Sequence, residues 1–221
     1  MTVLLVLATF IIFLTIDYFY GCRRVVEPAV RPTLEPMPAP RLQPSLVAGF
    51  KLPDNLRYHP GHTWALAESP NLVRVGLDDF AARLVGKIEH IMLPQRGQWI
   101  RQGQKICTIQ RDGSKVDMVS PIEGTVTAIN EVVAQDAELA RRDPYGEGWL
   151  ITVEAPDAKT NFRNLLSGSL ARKWMEEAAA RLRLRSAAMA VAQDGGVAID
   201  DLSTHLPAQT WTEVTREFFL G

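Results

Sequence analysis

From about Leu56 to Ala155 the chain is a succession of short runs, "LVRVGL", "GKIEHIMLP", "GQWI", "GQKICTIQ", "KVDMVSP", "EGTVTAINE" and "GWLITVEA", each cut off by Gly, Pro or Asp. Runs of this length with turn residues between them predict an antiparallel sheet sandwich or flattened barrel of about 100 residues. Two helical pieces interrupt the pattern. One is Asp78 to Val85, with Asp78 or Asp79 available as N-cap and Gly86 at its C-terminal end; the other lies near Ala134 to Arg142 and stops before Pro144. Gly97 and Gly103 bracket a short strand, where the turns need positive φ or no side chain.

The flanks have a different texture. Residues 3 to 16, VLLVLATFIIFLTI, carry no charge and run into Asp17 and the aromatics Tyr18, Phe19 and Tyr20. At about 1.5 Å per helical residue, Thr2 to Tyr20 just covers a hydrocarbon core of roughly 30 Å, so residues 2–20 predict contact with a lipid bilayer as a single-pass transmembrane helix. The rivals are a cleaved signal peptide and a buried helix of a soluble fold. No Lys or Arg precedes the apolar run, as a signal peptide requires, and its uncharged residues leave no polar face for solvent. Cys22 follows Tyr-Phe-Tyr-Gly rather than the small residues of a lipoprotein signal. Arg23 and Arg24 place everything beyond them in the cytoplasm by the positive-inside rule, at a cell (inner) membrane. Prolines 28, 32, 36, 38, 40 and 44 then predict an extended spacer.

Beyond the sheet region, residues 161 to 192 are rich in Ala, Leu, Arg and Glu and predict a long helix broken or weakened around Ser167-Gly168. Its Arg181, Arg183 and Arg185 form either a solvated face or a contact with anionic lipid or a partner. A second helix runs from about Ala208 to Phe219. Trp174, Trp211, Phe218 and Phe219 offer apolar surface either for packing on the barrel or for docking another protein. The predicted organisation is a transmembrane helix over 1–21, a tether over 22–55, a barrel over 56–158 and a helical extension over 159–221.

Lys and Arg total 24 against 25 Asp and Glu, and no basic run is interleaved with aromatics, which excludes a nucleic-acid footprint. The two cysteines, Cys22 and Cys107, form no Cys-x-x-Cys or Cys/His cluster, so neither a disulfide framework nor a metal site is expected. His59, His62 and His90 do not cluster and suggest structural hydrogen bonding. Trp64, Trp99 and Trp149 read as core or strand-face aromatics. No nucleophile elbow, zinc-protease or P-loop motif is present, and no nucleophile, base and orienter can be assembled, so no catalytic residue is named.

The order His62-x-Trp64, Val75-Gly76-Leu77 before an Asp-begun helix, Gly86, Leu93-Pro94, Gly97, Gly103, Pro121-x-x-Gly124, Asn130 and "DPYGEGWLITV" (143 to 153) resembles the H protein of the glycine cleavage system. The resemblance spans roughly Tyr58 to Glu154. It implies a lipoyl/biotinyl-carrier fold, a flattened antiparallel barrel in which a hairpin tip presents a lysine for amide-linked lipoate. In that family the arm carries an aminomethyl group between partner enzymes, and the H protein has no active site of its own.

In this chain the corresponding hairpin is "TIQRDGSKVDMVSPIEG" (108 to 124). Aligned on Asp117 and Pro121, the family's lysine falls on Gly113 and the acidic residue before it on Gln110. Asp112-Gly113 is the strongest signal for a two-residue type I′ turn, which demands positive φ at both central positions. That turn sets Arg111 opposite Ser114 and Gln110 opposite Lys115, so Lys115 lies one step down the strand. The residues expected to touch a partner are Gln110, Arg111, Asp112, Gly113 and Ser114. These residues favour a non-catalytic scaffold or accessory subunit of a membrane-associated complex, bearing no cofactor. The alternative is a carrier with lipoate on Lys115.

Overall fold

The computed structural model divides into two compact units, Met1–Arg41 and Leu42–Gly221. It describes residues 44–185, 197–206 and 208–219, together with Thr15. The expected span over 2–20, apart from Thr15, and the spacer as far as residue 43 lie outside the described residues. Among the described residues no helix is long and apolar enough to cross a membrane.

The fold is mainly β, with every strand pairing antiparallel. Strands β3 (Arg57–His59), β4 (Thr63–Ala67), β5 (Leu72–Leu77), β11 (Ile151–Glu154), β10 (Gly124–Ile129) and β7 (Trp99–Ile100) form one sheet in that spatial order. Strands β6 (His90–Met92), β8 (Lys105–Arg111) and β9 (Ser114–Val119) form a second. A two-stranded sheet, β1 (Pro44–Val47) with β2 (Phe50–Pro53), packs beside them and buries Phe50 and Leu52. This hairpin overlaps the segment expected to be a spacer through residue 55. Its turn is Ala48-Gly49, with φ of 52° and 96°. Because alanine is an unusual residue at positive φ, the sequence carries little sign of the turn.

Helix α1 (Asp79–Val85) follows the sequence expectation. Asp78 caps it, its carboxylate accepting from Ala81 N at 2.8 Å, and Gly86 ends it at φ 70°. All seven helical residues are buried, including Arg83, which pairs with Asp79 at 3.0 Å one turn away. The single helix expected over Ala134 to Arg142 is instead two short ones, α2 (Glu131–Gln135) and α3 (Leu139–Arg142). Asn130 caps α2 early by accepting from Val132 N and Val133 N, and Asp136, at φ -122° and ψ 84°, breaks the path between them.

Beyond α4 (Ala158–Arg163), the long helix begins at Gly168, φ 54°, as α5 (Gly168–Arg185). It buries Ala171, Met175, Ala178, Ala179 and Leu182, one stripe at helical spacing. Helix α6 (Ala208–Phe219) buries Trp211, Val214, Thr215, Phe218 and Phe219 in the same manner. Both helices therefore pack within the unit that holds the sheets. The three arginines make intramolecular contacts: Arg181 lies 5.1 Å over the Phe218 ring, Arg183 donates to Ala48 O at 3.3 Å and Arg185 pairs with Glu217 at 2.9 Å.

Candidate functional site

Strands β8 and β9 form the hairpin in the register the turn chemistry requires. Arg111 lies opposite Ser114, Gln110 opposite Lys115 and Thr108 opposite Asp117. Asp112 and Gly113 have φ of 46° and 74° and occupy the exposed apex. Lys115 is exposed but sits one residue below the tip, on the strand. A side chain at Gly113 would meet nothing within 4 Å, so only the backbone conformation opposes one there.

The hairpin is fastened close to its tip. Arg111 donates from Nη1 to Val85 O at 2.8 Å, reaches Asp201 at 3.5 Å and lies 5.9 Å over the Trp211 ring. Trp211 in turn donates its indole N–H to Leu84 O at 3.1 Å. Both acceptors belong to the last turn of α1, whose carbonyls have no partner within the helix. A cation is favoured at that end of the helix dipole. Hairpin, C-terminal helix and α1 thus meet at one point, and four of the five expected contact residues, Gln110 excepted, cluster around the tip beside it. Nothing in the sequence signals the Arg111 anchor, since its acceptors are main-chain carbonyls.

Around the apex of β3 and β4 a buried polar pair is enclosed by rings. His62, at φ 61°, donates from Nδ1 to Asp78 at 2.8 Å and stacks on Phe80 with centroids 4.1 Å apart. Trp174 lies 4.6 Å away, and Phe218 and Phe219 present edges near 6 Å. The same Asp78 carboxylate caps α1, so the pair locks the strand turn to the helix start. His90 is exposed on β6 opposite Gln110, whereas His59 ends β3 and accepts from Gly61 N at 3.0 Å in the turn that leads to His62. Among the described residues no group of His, Cys, Asp or Glu is arranged to hold a metal.

The motif residues have structural work to do. Trp64 is buried, donating to Pro144 O at 3.0 Å, and Gly76 opposite it leaves room for the indole, since a Cβ there would lie 2.5 Å from the ring. Tyr145 donates to Lys51 O at 2.7 Å and accepts from Asp79 N at 2.9 Å. Asn130 donates to Glu147 O and Trp149 O at 2.7 and 2.8 Å. Trp149 is half-buried beneath Arg74, whereas Trp99 stands half exposed on β7.

Antiparallel sheets with a hairpin raised beside a capped helix define the class of the domain as mainly β. The family model "Glycine cleavage H-protein" matches residues 56–178, more than half of the chain. The glycine cleavage system H protein of Mycobacterium avium is 35% identical over 107 residues, covering 48% of this chain and 81% of that protein. A probable glycine cleavage system H protein of Haloarcula marismortui is 33% identical over 127 residues, covering 58% and 98%. The crystal structure of a glycine cleavage system H protein from Mycobacterium marinum superposes with a TM-score of 0.44 at 24% identity, covering 48% of this chain and 87% of that one. The chain belongs to the glycine cleavage H-protein family. It is a non-catalytic protein of the carrier or scaffold kind.

Proposed function

We propose that this chain is a membrane-anchored H-protein-like scaffold, an accessory subunit of a membrane-associated complex, that carries no lipoate. The observation that supports it most is the hairpin apex. Asp112 and Gly113 fill the two turn positions with positive φ, and the lysine nearest the tip, Lys115, is locked in register opposite Gln110. Arg111, tied to Val85 O and stacked over Trp211, holds the hairpin against the body of the protein. An arm that shuttles between enzymes needs a mobile, projecting attachment point; a braced hairpin suits a fixed contact.

The barrel reading over 56–158, the span over 2–20 and the inward-facing topology belong to the same proposal, and the partners it expects are membrane-embedded or membrane-associated subunits. The competing role is that of a lipoylated carrier using Lys115 with enzymes of a glycine-cleavage-like system. Intact mass of the purified chain separates the two. Unmodified mass is the expected result, and a lipoyl increment lost in Lys115→Ala would overturn the proposal. Extraction in mild detergent is expected to bring partner subunits with the full chain.

A further inference from the structure

Between β9 and α6 lies a cleft of about 300 Å³ with no assigned role, near the lower end of small-molecule sites. Its charged lining is Lys105 and Lys115 from the hairpin, Arg216 from α6 and one carboxylate, Asp117. Lys105 Nζ lies 2.7 Å from Asp117 Oδ1, and Thr108 donates its hydroxyl to the same oxygen at 2.7 Å. Partial burial acts to raise the Asp117 carboxyl, but these two hydrogen bonds and the charges of Lys105 and Lys115 outweigh it and hold the group below the usual carboxylate range. Asp117 therefore stays ionised and compensates Lys105. Among the described residues neither Lys115 nor Arg216 has an ion-pair partner, although both are exposed and face one cleft.

With three cations and one carboxylate in its lining, the cleft keeps a net charge of +2, which matches a dianion. A phosphoryl group carries about -1.5 to -2 at neutral pH, and the arginine fork suits its oxygens. A single carboxylate would leave one charge unmatched. Met92 and Val116 supply an apolar wall beside the cations, which suits an organic substituent on the phosphate. The geometry points to a binding site for a small phosphomonoester, its phosphoryl group held between Lys115 and Arg216 with Lys105 beside them. Three of its nine lining residues, Arg216 among them, are supplied by α6, which lies beyond the residues matched by the family model.

The test is equilibrium dialysis of the full detergent-purified chain against inorganic phosphate and phenyl phosphate, with acetate at matched ionic strength as competitor. Saturable binding of both phosphates is expected, tighter for phenyl phosphate. Affinity should fall at least tenfold in Lys115→Ala/Arg216→Ala and recover in Lys115→Arg/Arg216→Lys. Both side chains are exposed, so circular dichroism should show the variants folded. If the double alanine variant does unfold, the phosphate-against-acetate competition on the natural chain decides alone. Absence of saturable phosphate binding, equal binding by the folded double alanine variant, or displacement by acetate as effective as by phosphate would overturn the site. This inference requires Lys115 to keep its charge, as in the scaffold reading. Intact mass reports on that reading separately, so failure of one is distinguishable from failure of the other.

Discussion

Replacing Arg111 with alanine tests whether the hairpin is braced. The side chain is 14% exposed and makes a charged hydrogen bond of 2.8 Å to Val85 O. A bond of that kind contributes about 1.5–3 kcal/mol net. The stacking over Trp211 adds about 0.5–1 kcal/mol. The pairs with Asp112 and Asp201 add little, since these carboxylates are 77% and 30% exposed. Arg111→Ala should therefore cost about 2–4 kcal/mol, and the melting temperature should fall by roughly 5–15 °C for a folded unit of this size. Urea denaturation followed by tryptophan fluorescence measures the loss, and hydrogen exchange of the β8 and β9 amides localises it. Arg111→Lys should recover less than half, because an ammonium keeps the charge but loses the planar fork. A variant within about 0.5 kcal/mol of the natural chain and with unchanged hairpin exchange, the level of an ordinary surface substitution, would refute the brace.

Gly76→Ala would drive a methyl to 2.5 Å from the Trp64 ring and should cost about 1–3 kcal/mol in the same denaturation assay. Burial pushes the Cys107 thiol up to about 12, with Asp117 adding to the rise, so iodoacetamide at mildly alkaline pH should leave Cys107 unlabelled in the folded chain and label it in urea, as read by peptide mass. His59 is lowered from its ordinary 6.5, by burial first and then by the neighbouring His62. The unfolded chain then binds more protons than the folded one just below pH 6.5, so stability is lost as pH falls through that window; His59→Gln should flatten this slope in denaturation curves taken between neutral pH and pH 5.

Local chemistry made much of the fold legible. The Asp112-Gly113 pair dictates its own turn, and the cross-strand partners follow from it without tertiary information. Asp78 and Gly86 mark the ends of α1 because a cap and a positive-φ terminator act within a few residues. Helix α6 runs over the Ala208 to Phe219 expected of it, ending on the aromatics Phe218 and Phe219. The β1–β2 hairpin was less visible because its turn uses alanine, and the break between α2 and α3 because Asn130 starts a helix earlier than the alanine-rich stretch suggests. The candidate site was legible at the tip but not at its root. Arg111 finds main-chain carbonyls, which no residue type announces, and Lys115 meets Arg216 only because two distant segments fold together.

The shared attachment at the end of α1 has a practical consequence for where this protein can be cut. The family match stops at residue 178, yet Leu84 O and Val85 O are capped by side chains from 211 and 111. The inherited boundary and the cooperative one do not coincide. Truncation at 178 would uncap a helix terminus, strip Phe218 and Phe219 from the rings around His62 and loosen a hairpin roughly 70 positions upstream in the chain. The last dozen described residues behave as a keystone of a unit whose recognisable part ends long before them.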